Sequence, residues 1–147
     1  AAEKLGLELL TGVEISAFWR NMTIHVIGLG IDLNNDNLQE GLALNQRLRK
    51  YRAEKIALGL WRSGIKDALE KTQSLSKTEV LTRTHFAQML IREGYCKDMK
   101  SVFRRYLTGK KPGGVRVEWK NIDQVVAWIH AAGCMDFPAR KSFFPHW

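Results

Sequence analysis

Gly12-Val13-Glu14-Ile15-Ser16, a break at Trp19-Arg20, and then Ile24-His25-Val26-Ile27-Gly28-Leu29 form the stretch whose reading decides the fold. Both runs are rich in β-branched residues and alternate with a period of two, the pattern of paired strands with one buried face. A hairpin turning between Trp19 and Arg20 sets Glu14 opposite His25. Val13 and Ile15 then share the other face with Val26 and Ile24. Such a register buries four aliphatic side chains and brings a carboxylate and an imidazole to Cβ distances of roughly 4.5–5.5 Å. A longer loop or a different strand order would shift that pairing.

Downstream of this pair the period changes to helical. Asp36 or Asn37 is placed to cap a helix over residues 38–63, with Leu44, Leu48, Tyr51 and Leu58 at helical spacing. The same segment carries Arg47, Arg49, Lys50, Arg52 and Lys55, expected to be a solvated basic face. A second helix is expected over 66–73. Thr82 or Thr84 caps a third that runs through Arg92 and stops at Gly94. A fourth covers 97–107, with Met99, Val102, Phe103, Tyr106 and Leu107 inward. Gly109-Lys110-Lys111-Pro112-Gly113-Gly114 is a basic loop, and 115–119 reads as a short strand or extended arm. Asn121 caps a last helix over 122–132, and Gly133 stops it. The tail 134–147 has no period and does not read as the closing element of a fold.

The bulk numbers limit the function classes. The chain has 147 residues, 45% hydrophobic and 26% charged, enough for one ordinary core. No run approaches the ~20 apolar residues that span a bilayer, and the charges within AAEKLGLELL leave no secretory signal core. With only Cys96 and Cys134, neither a disulfide framework nor a cysteine-based zinc site is suggested, and a reducing, cytoplasmic setting is the expectation. The net charge of +8 favours an anionic partner such as nucleic acid or a phosphorylated metabolite.

The G-V-E-I-S strand at Gly12–Ser16, the I-H-x-x-G-L strand at Ile24–Leu29 and the closing Asp32 resemble the middle of a PHP-family (polymerase and histidinol phosphatase) metal-dependent phosphoesterase. Thr82-Arg83-Thr84-His85-Phe86-Ala87, then Val102-Phe103, Tyr106-Leu107, Gly109-Lys110 and Trp119 are similar to the helical insertion of one subgroup. That subgroup contains bacterial 5′-3′ exoribonucleases and nucleoside phosphate phosphatases. Ala127-Trp128-Ile129-His130-Ala131-Ala132-Gly133 fits it as well. The resemblance implies an α/β chain, a mainly helical fragment of a distorted PHP β/α barrel with two N-terminal strands and a helical insertion domain. Its parts are barrel strands over 1–36, insertion and following helix over 37–133, and an atypical tail over 134–147.

The resemblance further implies that Glu14 bridges metal ions and that His25 ligates one, the ions being Mn, Zn or Fe. Arg83 and His85 would grip a phosphate at the mouth of the site, with Lys110 and Lys111 as further phosphate or substrate contacts. The expected substrate is a phosphorylated nucleotide or short RNA, with no membrane partner. The family's D-x-H-x-H and T-D-H ligand segments would lie before Ala1. Where its A-H-P segment would follow, this chain reads Cys134-Met135-Asp136-Phe137-Pro138. With two ligands against the usual three or four, weak or no metal binding and no turnover are expected of the chain alone. Its cut strand edges make a strand-mediated homo-oligomer an expectation.

Blander readings stand beside these. Glu14 and His25 form a solvent-facing polar pair, Arg83 and His85 an exposed helix cap with a satisfied histidine, and Lys110-Lys111 a solvated turn. Trp19 and Trp119 are packing residues rather than base-stacking platforms. The rival class is a basic nucleic-acid-binding module, since helix, turn, helix and basic arm over 81–117 outline a winged helix-turn-helix.

Overall fold

The computed structural model describes residues 3–7, 9–76 and 78–133, so the expectations for the 134–147 tail, Cys134 and Phe137 among them, lie outside the described residues. β1 (Gly12–Trp19) and β2 (Met22–Leu29) form a two-stranded antiparallel sheet. Its register differs from the expectation by two residues. His25 pairs with Ser16, and Glu14 pairs with Ile27. The cause lies in the turn: the two loop residues are Arg20 and Asn21, with φ of 45° and 64°. A two-residue hairpin loop needs positive φ at both central positions, which asparagine tolerates and a turn centred on Trp19-Arg20 would have forced on Trp19. A slip of two preserves the pleat, so every side chain keeps its expected face.

The helices follow as α1 (Asp36–Arg62), α2 (Ala68–Leu75), α3 (Arg83–Arg92), α4 (Met99–Val102) running into a π-helical turn (Phe103–Leu107), and α5 (Ile122–Ala131). Apart from α2, whose Asp67 makes no side-chain capping bond, the α-helices are capped by side chains of the expected kind. Asn35 Oδ1 accepts from the Leu38 amide at 3.1 Å, so the cap falls one residue before Asp36 and two before Asn37. Thr82 caps α3, Asp98 caps α4, and Asn121 caps α5. Residues 115–119 are extended but join no strand among the described residues, so the wing of a winged helix is not formed there.

The chain divides into two compact units, Ala1–Leu42 with Lys120–Trp147, and Ala43–Trp119. In the first, the inner face of the hairpin (Ile15, Ala17, with Val13, Ile24 and Val26) packs with Ile31, Leu38 and the Val125, Ile129 and Ala132 stripe of α5. A side chain at Gly28 would meet Ile129 at 2.6 Å, so this position must stay small for α5 to lie on the sheet. Asp32 N donates to Ala132 O at 2.7 Å and Asn35 Nδ2 to Ala131 O at 2.9 Å, pinning the end of α5. The last helix thus shares its core with the strands and with Leu38 and Leu42 in the first turns of α1. The outer face of the hairpin carries Glu14, Ser16, Phe18, His25, Ile27 and Leu29, and Ile27 is 66% exposed.

In the second unit Ala53, Ile56 and Leu60 of α1 pack with Phe86, Met89 and Leu90 of α3, Val102 and Leu107. The expected apolar stripe of α1 is displaced: Tyr51 and Leu58 are exposed, while Asn45, Ala53, Ile56 and Leu60 face inward. Gly59 sits under the loop after the π turn, where a Cβ would lie 1.7 Å from the Pro112 carbonyl oxygen. Alanine in a helix is ordinarily favoured over glycine by about 1 kcal/mol. At Gly59 the sign reverses, because the obstacle is backbone. Gly59→Ala is expected to destabilise the chain by about 1–3 kcal/mol in a urea titration, and an unchanged or raised midpoint would show that the loop yields freely.

Candidate functional site

Two groups of candidate residues lie in the two units. On the outer face of the hairpin, His25 Nδ1 stands 3.2 Å from Glu14 Oε1, with side chains about half exposed. The pairing is diagonal, reached across the two-residue register difference, and the strand partner Ser16 joins it with Oγ 3.4 Å from the same nitrogen. Ser16 is buried at 1% exposure although it lies on the outer face. Period-two reading places it beside Glu14, and that signal was available. Carboxylate and imidazole suit Zn, Mn or Fe, so Glu14 and His25 fit such an ion as part of a ligand set. Among the described residues no third His, Cys, Asp or Glu stands within reach of the same ion.

The second group is built on α1 and α3. Arg49 and Arg52 occupy the inward stripe that Ala53, Ile56 and Leu60 continue, and both are half-buried rather than solvated. Their guanidinium carbons lie 5.6 and 5.4 Å from the ring centre of Trp119, which is only 6% exposed. Trp119 is therefore a packing residue whose face carries two cations, a geometry that attracts them to the ring quadrupole. Arg83, first residue of α3, donates through Nη2 to the Val115 carbonyl.

Burial, then the charges of Arg83 and Arg49, push the pKa of Arg52 down to about 10. The Nε atoms of Arg52 and Arg83 are buried without a hydrogen-bond partner. Neither residue meets a carboxylate within ion-pair distance among the described residues. Cations gathered and half-desolvated in this way are stabilised by an anion, and guanidinium forks match phosphate oxygens.

His85 belongs to the cap. Its Nδ1 accepts from the Thr82 amide at 3.2 Å while its own amide donates to Thr82 Oγ1 at 3.4 Å, a reciprocal capping box. The capping role and a ligand role are compatible, because the bond to Nδ1 leaves Nε2 as the ring's donor. Lys110 and Lys111 are exposed on a turn closed by Lys111 N donating to Thr108 O, and no ion pair holds them among the described residues. Glu14 and His25 are thus in contact, Arg83 joins Arg49 and Arg52, and the two lysines stand in solvent. The arginines of α1 were visible in sequence as a stripe, expected to be solvated, but their approach to Arg83 was not. What spacing could not reveal is that the basic stripe and the core stripe of α1 coincide.

No family model matches the chain. Several characterised bacterial enzymes do. The chain is 39% identical over 136 residues to the 3′,5′-nucleoside bisphosphate phosphatase of Chromobacterium violaceum, covering 92% of this chain and 48% of that protein. It is 38% identical over 146 residues to the 5′-3′ exoribonuclease Rnm of Escherichia coli, covering 97% and 50%. Among solved structures, an amidohydrolase from Chromobacterium violaceum with bound sulfate and no metal superposes with a TM-score of 0.81 at 38% identity, over 91% of this chain and 48% of that one. A metal-dependent phosphoesterase from Bifidobacterium adolescentis, at 20% identity, shares the fold with a TM-score of 0.77 over 90% and 47%.

The described residues share the fold of about half of each of these two structures, one described as an amidohydrolase and one as a metal-dependent phosphoesterase. More particularly, the chain is a homologue of the PHP-family exoribonucleases and nucleoside phosphate phosphatases and spans about half the length of the relatives it matches. The winged helix-turn-helix alternative finds no support among them.

The strained charge of Arg52 has a measurable sign. A base whose pKa is lower folded than unfolded opposes folding while charged, so its cost is full below about pH 10 and fades above it. Arg52→Met is expected to raise stability at pH 7 by about 1 kcal/mol, at the low end of the range for replacing buried ions because the side chain is partly exposed. A lower urea midpoint for Arg52→Met would mean that the guanidinium is fully compensated in the folded chain.

Proposed function

We propose that this chain is the central part of a metal-dependent phosphoesterase that hydrolyses phosphate esters of nucleotides or of the 5′ ends of short RNA. The observation that carries the reading is the Arg52–Arg83 cluster, half-desolvated and without a carboxylate, which fits a phosphate of the substrate. Two relatives support it through their names, one acting on nucleoside 3′,5′-bisphosphates and the other on RNA from the 5′ end. In this reading β1 and β2 are strands of a larger barrel, and the setting is cytoplasmic. Glu14 and His25 belong to the ligand set of a divalent metal, Mn, Zn or Fe, which when bound supplies Lewis-acid activation of water. Arg83 binds and orients the phosphate, and His85 offers Nε2–H to a phosphate oxygen. Lys110 and Lys111 add positive potential for a longer substrate.

The reading separates binding from turnover. Calorimetric titration of the chain with adenosine 3′,5′-bisphosphate should show binding that adenosine lacks, weakened at least tenfold in Arg83→Met. Equal binding of adenosine, or an unaffected Arg83→Met, would remove the arginine cluster from the site.

Metal affinity is expected to be weak, because two ligands are fewer than the three or four of ordinary protein sites. Titration with Mn²⁺ or Zn²⁺ should reveal no site tighter than about micromolar, and the chain alone should release no phosphate from the bisphosphate. A nanomolar site abolished by His25→Ala would show instead that this chain completes a metal centre by itself.

A further inference from the structure

The net charge of +8 conceals a sharp division. The unit Ala43–Trp119 holds 18 of the 23 Lys and Arg but only 7 of the 15 Asp and Glu, a net of +11, and the remaining residues sum to −3. Residues 93–119 of this unit hold 7 Lys and Arg against 3 Asp and Glu, a net of +4. Lys97, Lys100, Arg104, Arg105, Lys110 and Lys111 are all exposed. The acid among them, Asp98, is engaged in capping: its Oδ1 accepts from the Ser101 amide at 2.8 Å. None of the six makes an ion pair among the described residues.

These residues lie on one continuous piece of backbone. Lys100 and Arg104 are four apart, one turn along the α4 and π segment, whose nine residues extend about 13 Å. The loop that follows folds back on that segment, with Gly113 N donating to Tyr106 O at 2.6 Å and Thr108 Oγ1 to Phe103 O at 2.8 Å. Lys110 and Lys111 are thereby held at its C-terminal end. The π turn itself carries Arg104 and Arg105, and such turns recur where side chains serve a function.

A second observation concerns planar groups. The Arg105 guanidinium lies 5.4 Å from the ring centre of Tyr106 and donates to the Tyr95 carbonyl at 3.4 Å, and Tyr95 is 36% exposed. Tyr106 packs against the core, so Tyr95 is the ring open to solvent. Cations beside an exposed ring suit a single-stranded nucleic acid, whose phosphates the cations follow and whose unstacked bases the ring can accept. A mononucleotide could not use six cations spread over this length.

We propose that the exposed surface formed by Lys97, Lys100, Arg104, Arg105, Lys110 and Lys111 is a track for the backbone of single-stranded RNA, separate from the Arg52–Arg83 cluster. The inference rests on the phosphoesterase reading in taking RNA as the polymer, and it specifies that the substrate class extends beyond a single nucleotide. The track binds without base-specific readout, because phosphates carry no sequence.

The test is fluorescence anisotropy of the 147-residue chain with a 3′-labelled, 12-nucleotide single-stranded RNA over a range of KCl concentrations. Five or six neutralised phosphates correspond to a slope of log K against log salt near −4, at about −0.7 each. The double variant Lys100→Glu/Arg104→Glu should weaken RNA binding at least tenfold and flatten the slope. Arg62→Glu/Lys66→Glu, which makes the same change of net charge away from the track, should stay within about twofold. Equal losses in both variants would overturn the track in favour of diffuse charge, as would wild-type binding by the first. Should that variant misfold by circular dichroism, Lys110→Ser/Lys111→Ser in the exposed turn carries the same expectation. Adenosine 3′,5′-bisphosphate separates the two sites: its affinity should survive both track variants, and a parallel fall would mean that no separate surface exists. Failure of bisphosphate binding with RNA binding intact would count against the arginine cluster and leave the track standing.

Discussion

A guanidinium drawn out of water needs something negative, and the Ala43–Trp119 unit is organised around that unmet need. α1 is continuous through this unit, and its inward stripe begins as Asn45, Arg49 and Arg52 before turning into Ala53, Ile56 and Leu60. One helix face therefore begins with half-buried cations and continues as core. The apolar half anchors α3 through Phe86, Met89 and Leu90, which fixes the start of α3 and with it Arg83. Trp119 supplies a ring face where a carboxylate would otherwise have been expected. For Arg52 that is a weaker partner than an ion pair, and its Nε is buried without a hydrogen-bond partner.

The two units divide the chemistry by charge. The hairpin unit is net acidic and carries Glu14, Ser16 and His25, donors suited to a divalent ion. The helical unit is strongly basic and carries the groups suited to a phosphorylated ligand. A phosphoesterase requires both kinds of surface, a cation-holding one for the attacking water and an anion-holding one for the ester. Homologues that act on a nucleoside bisphosphate and on RNA share this half of their sequences with the chain.

Much of the architecture was legible because short-range chemistry decides it. Thr82 and Asn121 cap helices as their side chains dictate, whereas Asp98, expected inside a helix over 97–107, is its cap; alternation placed Glu14 and His25 on one face and Val13, Ile15, Ile24 and Val26 on the other. The register was not legible, because alternation is blind to a shift of two. Only the tolerance of Asn21 for positive φ selects it, and the Glu14–His25 contact survives as a diagonal one. The core stripe of α1 was misread for a different reason. Arg49 and Arg52 look solvated by composition, and only the tertiary position of Trp119 turns them inward. The association of α5 with the strands likewise depends on Gly28, a residue whose lack of a side chain gives no hydrophobic signal.

The capping box of α3 couples two properties usually kept apart. The Thr82 amide donates to His85 Nδ1, so the imidazole has a fixed polarity, with its remaining hydrogen on Nε2. A ring held this way presents a hydrogen-bond donor at Nε2, and it belongs to the same turn that carries Arg83. Cap, donor and guanidinium are therefore oriented by one short piece of backbone.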